Sequence, residues 1–181
     1  FNPRLGVVGG ISVLGTSGIV HPYSHEAYLA SIRQQISVAA QNGNAELVLT
    51  SGKRSENLVK SYFQHLPNSA FVHFGNSIGD ALNMINDFPI AKVTLVIMLG
   101  KAVKLAEGHL DTHSRKARLN NAFLSEIAVR CGCSREVIQK IESVKLANEI
   151  LDFINYSDDN GFYQALAQKC FDAARPTLKK N

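Results

Sequence analysis

Apolar runs alternate with helical periodicities along the first 105 residues of the chain. Residues 5–8 predict a short buried strand, and the helix after it has Ser24 as its N-cap and stops near Gly43. The alternation then repeats three times, with predicted strands at residues 47–49, 70–74 and 93–99 and predicted helices at residues 56–63, 81–85 and 103–105. Four strand-then-helix units in succession predict an α/β fold, with a three-layer, mostly parallel, Rossmann-like sheet and helices on both faces.

The pattern becomes mostly helical from residue 119 onward, with predicted helices at residues 119–130, 135–142, 144–154 and 162–174. We interpret this helical C-terminal region as further cover for the same sheet, so that residues 1–181 form a single α/β domain. A helical appendage over residues 119–181 is the alternative. Because residue 1 is not Met and the first strand begins almost at once, we expect this domain to be the C-terminal part of a longer polypeptide.

Glycines follow each of the four predicted strands, at Gly9, Gly52, Gly75 and Gly100. The carboxyl ends of parallel strands share one edge of a sheet, and ligands bind in the crevice outside that edge. The first of these turns, GGISVLGTSGIVHP at residues 9–22, contains four glycines, two serines and a threonine. These glycines could serve only to permit tight turns, but so many small residues favour a ligand site that is lined by backbone.

This first turn lacks the standard signatures of nucleotide binding. Thr16 stands where a P-loop has its lysine, and the adjacent pair Gly9-Gly10 does not fit the G-x-G-x-x-G spacing of a dinucleotide site. The second strand ends in Thr50 and Ser51, where an acid would bind ribose. We therefore expect a ligand without phosphates.

A second polar cluster, GKAVKLAEGHLDTHSR, covers residues 100–115. In an extended segment His109, Asp111 and His113 would project to one side and could hold a metal. Alternatively the cluster is a polar loop that hydrogen-bonds to itself. A third interpretation is a substrate-facing loop, in which lysines and an arginine neutralise carboxylates and a histidine or Asp111 handles a proton.

Composition and charge narrow the classes of partner. Nineteen Lys and Arg against 15 Asp and Glu give a net charge of +4 and a pI near 9.0, which suits a polyanionic small molecule better than nucleic acid. The three cysteines form no C-x-x-C pair, so we expect reduced thiols and a cytoplasmic protein. No apolar stretch is long enough for a membrane span, and we expect no membrane partner.

Four strings resemble the CbiD family, and the similarity extends over roughly residues 2–175. They are NPRLGVVGGISVLGTSGIV at residues 2–20, PYS at 22–24, LTSGKRSE at 49–56 and GKAVKLAEGHLDTHS at 100–114. The resemblance implies an S-adenosylmethionine-dependent C-methyltransferase, which methylates C1 of cobalt-precorrin-5B and gives cobalt-precorrin-6A in anaerobic cobalamin (vitamin B12) biosynthesis. A non-catalytic domain that binds a corrinoid or a nucleoside is the alternative.

The resemblance also implies partners and a division of labour among the residues. The family carries an N-terminal domain that we expect activity to require, and a second copy of this chain is a further candidate partner. Cobalt arrives within the corrinoid substrate, and no protein metal site is required. S-adenosylmethionine carries a sulfonium cation and no phosphate, which suits a glycine turn without a P-loop lysine.

We expect three groups of site residues on this basis. The methyl donor would contact Gly9, Gly10, Ser12, Gly15, Thr16, Ser17, Gly18, Gly52, Asn76 and Gly100. The corrinoid substrate, through the carboxylates of its macrocycle and its other groups, would contact Lys53, Arg54, Lys101, Lys104, Thr112, Ser114 and Arg115. Methyl transfer to an electron-rich carbon depends mainly on alignment, and His109, Asp111 and His113 are the candidates for moving a proton or orienting the substrate.

Overall fold

The computed structural model describes residues 8–9, 24–113, 118–157 and 161–179. The chain divides into two compact units: unit 1 takes Phe1–Gly75 and Asn83–Val96, and unit 2 takes Asn76–Leu82 and Ile97–Asn181. The strand predicted at residues 5–8 lies outside the described residues apart from Val8. The single domain and the appendage beginning at residue 119 stay predictions, and the two units are described separately.

A parallel sheet of three strands lies in unit 1. Its strands are β1 (Glu46–Thr50), β2 (Phe71–His73) and β3 (Lys92–Val96), in the order β2-β1-β3. Val48 of the middle strand pairs with Phe71 on one side and with Thr94 on the other. Val48 is fully buried, as in parallel sheets covered on both faces. The predicted α/β fold with a parallel sheet is confirmed, whereas the three-layer Rossmann-like arrangement stays a prediction.

The first helix, α1 (His25–Gln41), begins and ends where the sequence predicts. The Ser24 side chain accepts a hydrogen bond from the amide of Ala27 at 3.1 Å and caps the first turn. Gly43, two residues past the last helical residue, has φ +75°, a conformation that favours glycine. Ile36 and its neighbours on the same face are fully buried, so α1 packs through one apolar stripe.

Two further helices differ in detail from the predicted pattern. α2 (Lys53–Val59) begins three residues earlier than predicted and continues as a 3-10 helix over Lys60–Phe63. A further 3-10 turn, Asn68–Ala70, leads directly into β2. α3 (Ile78–Ile85) also begins three residues earlier than predicted. The spacing of apolar residues therefore predicted where these helices lie but not the residue at which each begins.

The remaining helices belong to unit 2, and most match the predicted spans. They are α4 (Leu99–Ala106), α5 (Asn121–Arg130), α6 (Arg135–Ser143) and α7 (Phe162–Ala174), with 3-10 helices at Ala147–Asp152 and Arg175–Thr177. The helix predicted at residues 144–154 is wrong in type. Glu149 accepts hydrogen bonds from the amides of Lys145 and Leu146, both at 3.1 Å, and so closes a short 3-10 helix.

The strand predicted at residues 93–99 is three residues too long, because a helix begins at Leu99. The amides of Lys101 and Ala102 both donate to the carbonyl of Met98, at 2.8 Å and 3.0 Å, and start α4. Gly100 therefore lies in the first turn of a helix and not in a loop after a strand. This change gives the Lys101 side chain a helical neighbour at position 104.

An apolar core holds the helices of unit 2 together. Val103 of α4, Ile127 of α5, Ile141 of α6 and Phe162 of α7 are all 1% exposed or less and belong to one buried cluster. α4 and α7 are also joined by a hydrogen bond from Cys170 Sγ to the carbonyl of Ala102, at 3.1 Å. None of the described helices is long and apolar enough to cross a membrane.

Gly75 provides a test of the close packing in unit 1. Its φ is +62°, and a Cβ at this position would overlap the phenol ring of Tyr28. We expect Gly75→Ala to lower the free energy of unfolding by about 2–4 kcal/mol, from backbone strain and overlap together. Gly43→Ala is the matched control, because Gly43 has a similar φ of +75° and nothing within 4 Å of the added Cβ. Denaturant unfolding followed by circular dichroism measures both, and equal losses would contradict the overlap.

Cys170 provides a test of burial in unit 2. Burial raises the pKa of the Cys170 thiol to about 11, whereas Cys131 and Cys133 are half-exposed. We therefore expect iodoacetamide at pH 8.5 to modify Cys131 and Cys133 and to leave Cys170 unmodified until denaturant is added. Peptide mass spectrometry of the alkylated protein measures this, and modification of all three thiols at one rate would contradict it.

The same pKa predicts a direction for stability at high pH. The unfolded chain loses the Cys170 proton near the ordinary pKa of 9.0, and the folded chain keeps it until about 11. Between these values the folded state binds more protons, so stability falls as the pH rises. Cys170→Ala should therefore make the free energy of unfolding less dependent on pH in this range.

Candidate functional site

Several predicted site residues lie outside the part of the chain that the structure describes. They are Gly10, Ser12, Gly15, Thr16, Ser17 and Gly18 of the glycine turn, and Ser114 and Arg115 of the second polar cluster. Gly9 is described, and it is exposed with φ +70°. The glycine turn as a donor site therefore stays a prediction.

The predicted site residues of unit 1 lie at the carboxyl end of β1. Gly52 precedes α2, and its amide donates to Ser55 Oγ at 3.1 Å. Lys53 and Arg54 occupy the first turn of α2 and are exposed. Lys53 Nζ lies 3.3 Å from an oxygen of Glu56, so part of its charge is already matched. Lys53 and Arg54 therefore both lie on the surface of unit 1.

A contact between a buried carboxylate and a histidine in unit 1 was missed by sequence reasoning. Glu56 of α2 is 2% exposed, and its Oε2 lies 2.7 Å from Nε2 of His73, the last residue of β2. The backbone amide of His73 donates to Gln35 Oε1 at 3.2 Å, which joins α1 to the same strand end. Glu56 and His73 are 17 positions apart and follow no common spacing rule, so only the fold could bring them together.

All the described residues that line a cleft of about 780 Å³ belong to unit 2. The cleft brings together six of the predicted site residues, which are Asn76, Gly100, Lys101, Lys104, Thr112 and His113. Sequence reasoning did not single out the rest of its described lining, which is Met98, Arg118, Leu119, Asn121, Val144, Lys145, Leu146, Ala147 and Asn148. Lys145 and Arg118 are single basic residues in helical or loop contexts, where a surface role is the default expectation.

The charge of the cleft has one sign. Lys101, Lys104, Arg118 and Lys145 contribute four cations, and none of its described lining residues is acidic. Apolar side chains, among them the exposed Leu146, also line the cleft. Such a surface attracts a ligand that carries several negative groups on an apolar body.

One wall of the cleft includes Thr112 and His113, the last two residues of the segment His109–His113, which we call the wall segment. Asp111 forms an antiparallel bridge with Ser77, and the amide of Gly79 donates to the carbonyl of Leu110 at 3.0 Å. A Cβ on Gly79 would come within 2.9 Å of the Leu110 Cβ, so the two backbones approach each other closely. The wall segment is therefore held by main-chain pairing with residues 77–79, and not by side chains alone.

Thr112 is the central anchor of this wall. Its amide donates to the carbonyl of Asn76 at 3.1 Å, and its own carbonyl accepts from Lys104 Nζ at 3.2 Å. Thr112 is 2% exposed, so both of its peptide groups need partners within the protein. The predicted substrate residue Thr112 thus has a structural role in the wall.

The environment of Lys101 on α4 includes a second lysine. Lys101 and Lys104 lie three positions apart on one helix and both line the cleft. Burial lowers the pKa of Lys101, and the positive charge of Lys104 lowers it further. An anion that entered the cleft would favour the charged form of Lys101 and would offset both effects.

Of the three predicted catalytic residues, His113 alone is among the described lining of the cleft. His109 is exposed and is not part of the lining. Asp111 Oδ1 accepts a hydrogen bond from the amide of His113 at 3.0 Å and shapes the turn. Among the described residues, no group of three or more His, Cys, Asp or Glu side chains could hold a metal ion. The hydrogen bond at Asp111 supports the interpretation of residues 100–115 as a polar loop that hydrogen-bonds to itself.

Family comparisons give this cleft a context. Residues 111–181 match the model of the CbiD C-terminal domain, and residues 1–22 match the CbiD model. The chain belongs to the CbiD family. The first match includes the cleft residues from Thr112 to Asn148, and the second includes the whole glycine turn of residues 9–22. The CbiD resemblance expected from the sequence strings is confirmed.

Curated relatives within the CbiD family bear the name cobalt-precorrin-5B C(1)-methyltransferase. The protein from Prosthecochloris aestuarii is 42% identical over 170 residues, covering 93% of this chain and 46% of the relative. The proteins from Geobacillus sp. WCH70 and Priestia megaterium are 38% and 39% identical over 169 residues each, with the same coverage. The chain thus spans about half the length of these relatives. No solved structure gives a significant match.

Asp111 offers a test of the wall segment. We expect Asp111→Ala to lower the free energy of unfolding by about 1 kcal/mol and to speed hydrogen exchange at the His113 amide, which loses its acceptor. Asp111→Asn keeps an acceptor oxygen and should behave like the wild type in both measurements. Rapid exchange at His113 in Asp111→Asn would show that the negative charge, and not the hydrogen bond, holds the turn.

Proposed function

We propose that this chain holds the corrinoid acceptor of an S-adenosylmethionine-dependent methyltransferase, which transfers a methyl group to C1 of cobalt-precorrin-5B and gives cobalt-precorrin-6A in cobalamin biosynthesis. The observation that carries the proposal is the cleft of unit 2, with four cations and no carboxylate among its described lining residues. The names of the CbiD relatives supply the reaction.

The chemistry of the acceptor matches the cleft. A corrinoid precursor is an apolar macrocycle with carboxylate side chains around its rim, and cobalt is part of that substrate. Lys101, Lys145 and Arg118 can pair with carboxylates, and Arg118 can do so with two parallel hydrogen bonds. Leu146 and Met98 offer apolar contact to the face of the ring. The cleft therefore recognises both parts of such a molecule.

The donor fits this cleft poorly. S-adenosylmethionine supplies the methyl group as a sulfonium cation, and a cleft with four cations repels a further positive charge. We therefore place no donor there, and we assign Asn76 and Gly100 of the predicted donor set to the acceptor side. The donor site stays a prediction at the glycine turn of residues 9–18.

The contribution of this chain to the chemistry is mainly alignment. Transfer to a ring carbon needs the acceptor held in one orientation, and paired cations around a rim of carboxylates provide that orientation. His113 is the one candidate proton carrier of the predicted three that lines the cleft. Asp111 acts on His113 through its amide, and His109 lies apart from the lining.

Two finer expectations accompany this function. We propose that the sheet of unit 1 belongs to a three-layer, Rossmann-like arrangement. The support is the parallel pairing of the three strands that the structure describes. We also propose a cytoplasmic location, which suits the three free thiols of Cys131, Cys133 and Cys170.

The cations missed by sequence reasoning provide the test. We expect Arg118→Gln and Lys145→Gln each to weaken binding of a free-acid cobalt corrinoid by about 10-fold, because each removes a charged hydrogen bond. Lys140→Gln is the matched control, since Lys140 is exposed, lies on α6 and does not line the cleft. Titration by visible absorption of the corrinoid, with the intact protein, measures the affinities.

Two further arms separate the possible outcomes. The methyl ester of the same corrinoid should bind weakly to every variant, because it has no carboxylates. Transfer of labelled methyl from S-adenosylmethionine to the acceptor distinguishes an enzyme from a non-catalytic binding domain. Equal affinity for the acid and the ester would overturn the carboxylate assignment, and binding without transfer would favour the non-catalytic alternative.

A further inference from the structure

Residues 144–146 connect α6 to the 3-10 helix that follows it, and all three of them line the cleft. Val144 and Leu146 have extended backbones, with ψ angles of 141° and 136°. Lys145, one of the four cations of the cleft, therefore lies where the helical backbone is interrupted. The place of its side chain depends on what interrupts the helix.

The partners of two backbone amides explain this interruption. In a continued helix each amide would donate to the carbonyl four residues earlier, so the amide of Leu146 would pair with the carbonyl of Glu142. The amides of Lys145 and Leu146 instead donate to the carboxylate of Glu149, at 3.1 Å each. Glu149 thus takes up the two amides that would have extended α6.

Asn121 replaces the missing helical partner at the end of α6. This first residue of α5 donates from Nδ2 to the carbonyl of Glu142 at 3.0 Å and to the carbonyl of Val144 at 2.9 Å. The carbonyls at a helix end need such partners from outside the helix. Asn121 and Glu149 together therefore satisfy the backbone groups on both sides of the interruption, and we call these two residues the brace.

Asn121 also lines the cleft, but its hydrogen bonds suit it to support the backbone and not to bind a carboxylate. A side-chain amide has two N–H donors, and two main-chain carbonyls accept from Nδ2 here. The other polar atom of the side chain is Oδ1, which only accepts and so offers no hydrogen bond to a carboxylate. Asn121 thus acts on the cleft through the connection at residues 144–146.

We propose that Asn121 and Glu149 are positioning residues, which interrupt the helix and so hold Lys145 at the cleft for a carboxylate of the acceptor. The role of Lys145 rests on the proposed function, whereas the brace can be tested without any ligand. The proposal assigns roles to two residues that no spacing rule in the sequence connects.

The first experiment tests Glu149 without ligand. Glu149→Ala removes the acceptor of two amides, so we expect hydrogen exchange at Lys145 and Leu146 to become about 10-fold faster. Glu149→Gln keeps one acceptor oxygen and should retain more protection. Glu136→Ala is the matched control, because Glu136 is an exposed glutamate of α6 outside the described lining of the cleft. Unchanged exchange in Glu149→Ala would overturn the role of Glu149.

Two variants of Asn121 separate hydrogen bonding from packing. Asn121→Ala removes the amide, whereas Asn121→Asp keeps the size of the side chain and replaces both donors with an acceptor that faces two carbonyls. We expect both variants to speed exchange at Lys145 and Leu146 by about 5-fold, because the end of α6 loses its donors. Protection retained in Asn121→Asp would overturn the hydrogen-bonding role.

The second experiment measures the affinity of the intact protein for a free-acid cobalt corrinoid. We expect Asn121→Ala and Glu149→Ala each to weaken binding by about 5-fold. In the Lys145→Gln background each should change the affinity by less than about 2-fold, because both residues act through Lys145. Glu136→Ala should bind like the wild type, and circular dichroism checks that every variant folds.

The combination of variants separates the outcomes. If Asn121→Ala lost the same affinity in both backgrounds, Asn121 would contact the acceptor itself, and its positioning role would be overturned. The same result for Glu149→Ala would overturn its action through Lys145. Failure of the wild type to bind the corrinoid would overturn the proposed function together with the ligand role of Lys145, and hydrogen exchange would still decide whether the brace holds residues 144–146.

Discussion

Main-chain pairing between the wall segment and residues 76–79 is the interaction on which the cleft of unit 2 depends. The backbones meet closely at Gly79 and Leu110, where no side chain could be inserted without displacement. Hydrogen bonds at Gly79 and Thr112 then set the register, and Lys104 closes the arrangement from α4. This pairing fixes the wall segment, and cations from separate parts of the chain can therefore line the same cleft.

The wall segment explains why its polar residues do not form the constellation suggested by their spacing. A period of two would place His109, Asp111 and His113 on one side only if the segment stayed extended throughout. The turn that Asp111 makes with the amide of His113 breaks this alternation. A carboxylate that bonds to the backbone of its own loop shapes the wall of the cleft, which His113 and the neighbouring cations line.

Elements that depend on local patterns could be predicted from the sequence. α1 follows from its apolar stripe, the Ser24 cap and Gly43, and α7 occupies the predicted span of residues 162–174. The composition of the cleft could be predicted only in part. Lys101 and Lys145 are far apart along the chain, and they line the same cleft only because the helical core packs as it does. The pair of Glu56 and His73 is of the same kind, since neither residue carries a local signal of the other.

Leu146 is 68% exposed although it lines the cleft. An aliphatic side chain in that position orders water that a flat apolar ligand would release on binding. Association with a macrocycle should therefore lower the heat capacity of the system, in addition to any heat from ion pairing. Calorimetry at several temperatures would thus separate the part of recognition that comes from the face of the ring from the part that comes from its charged rim.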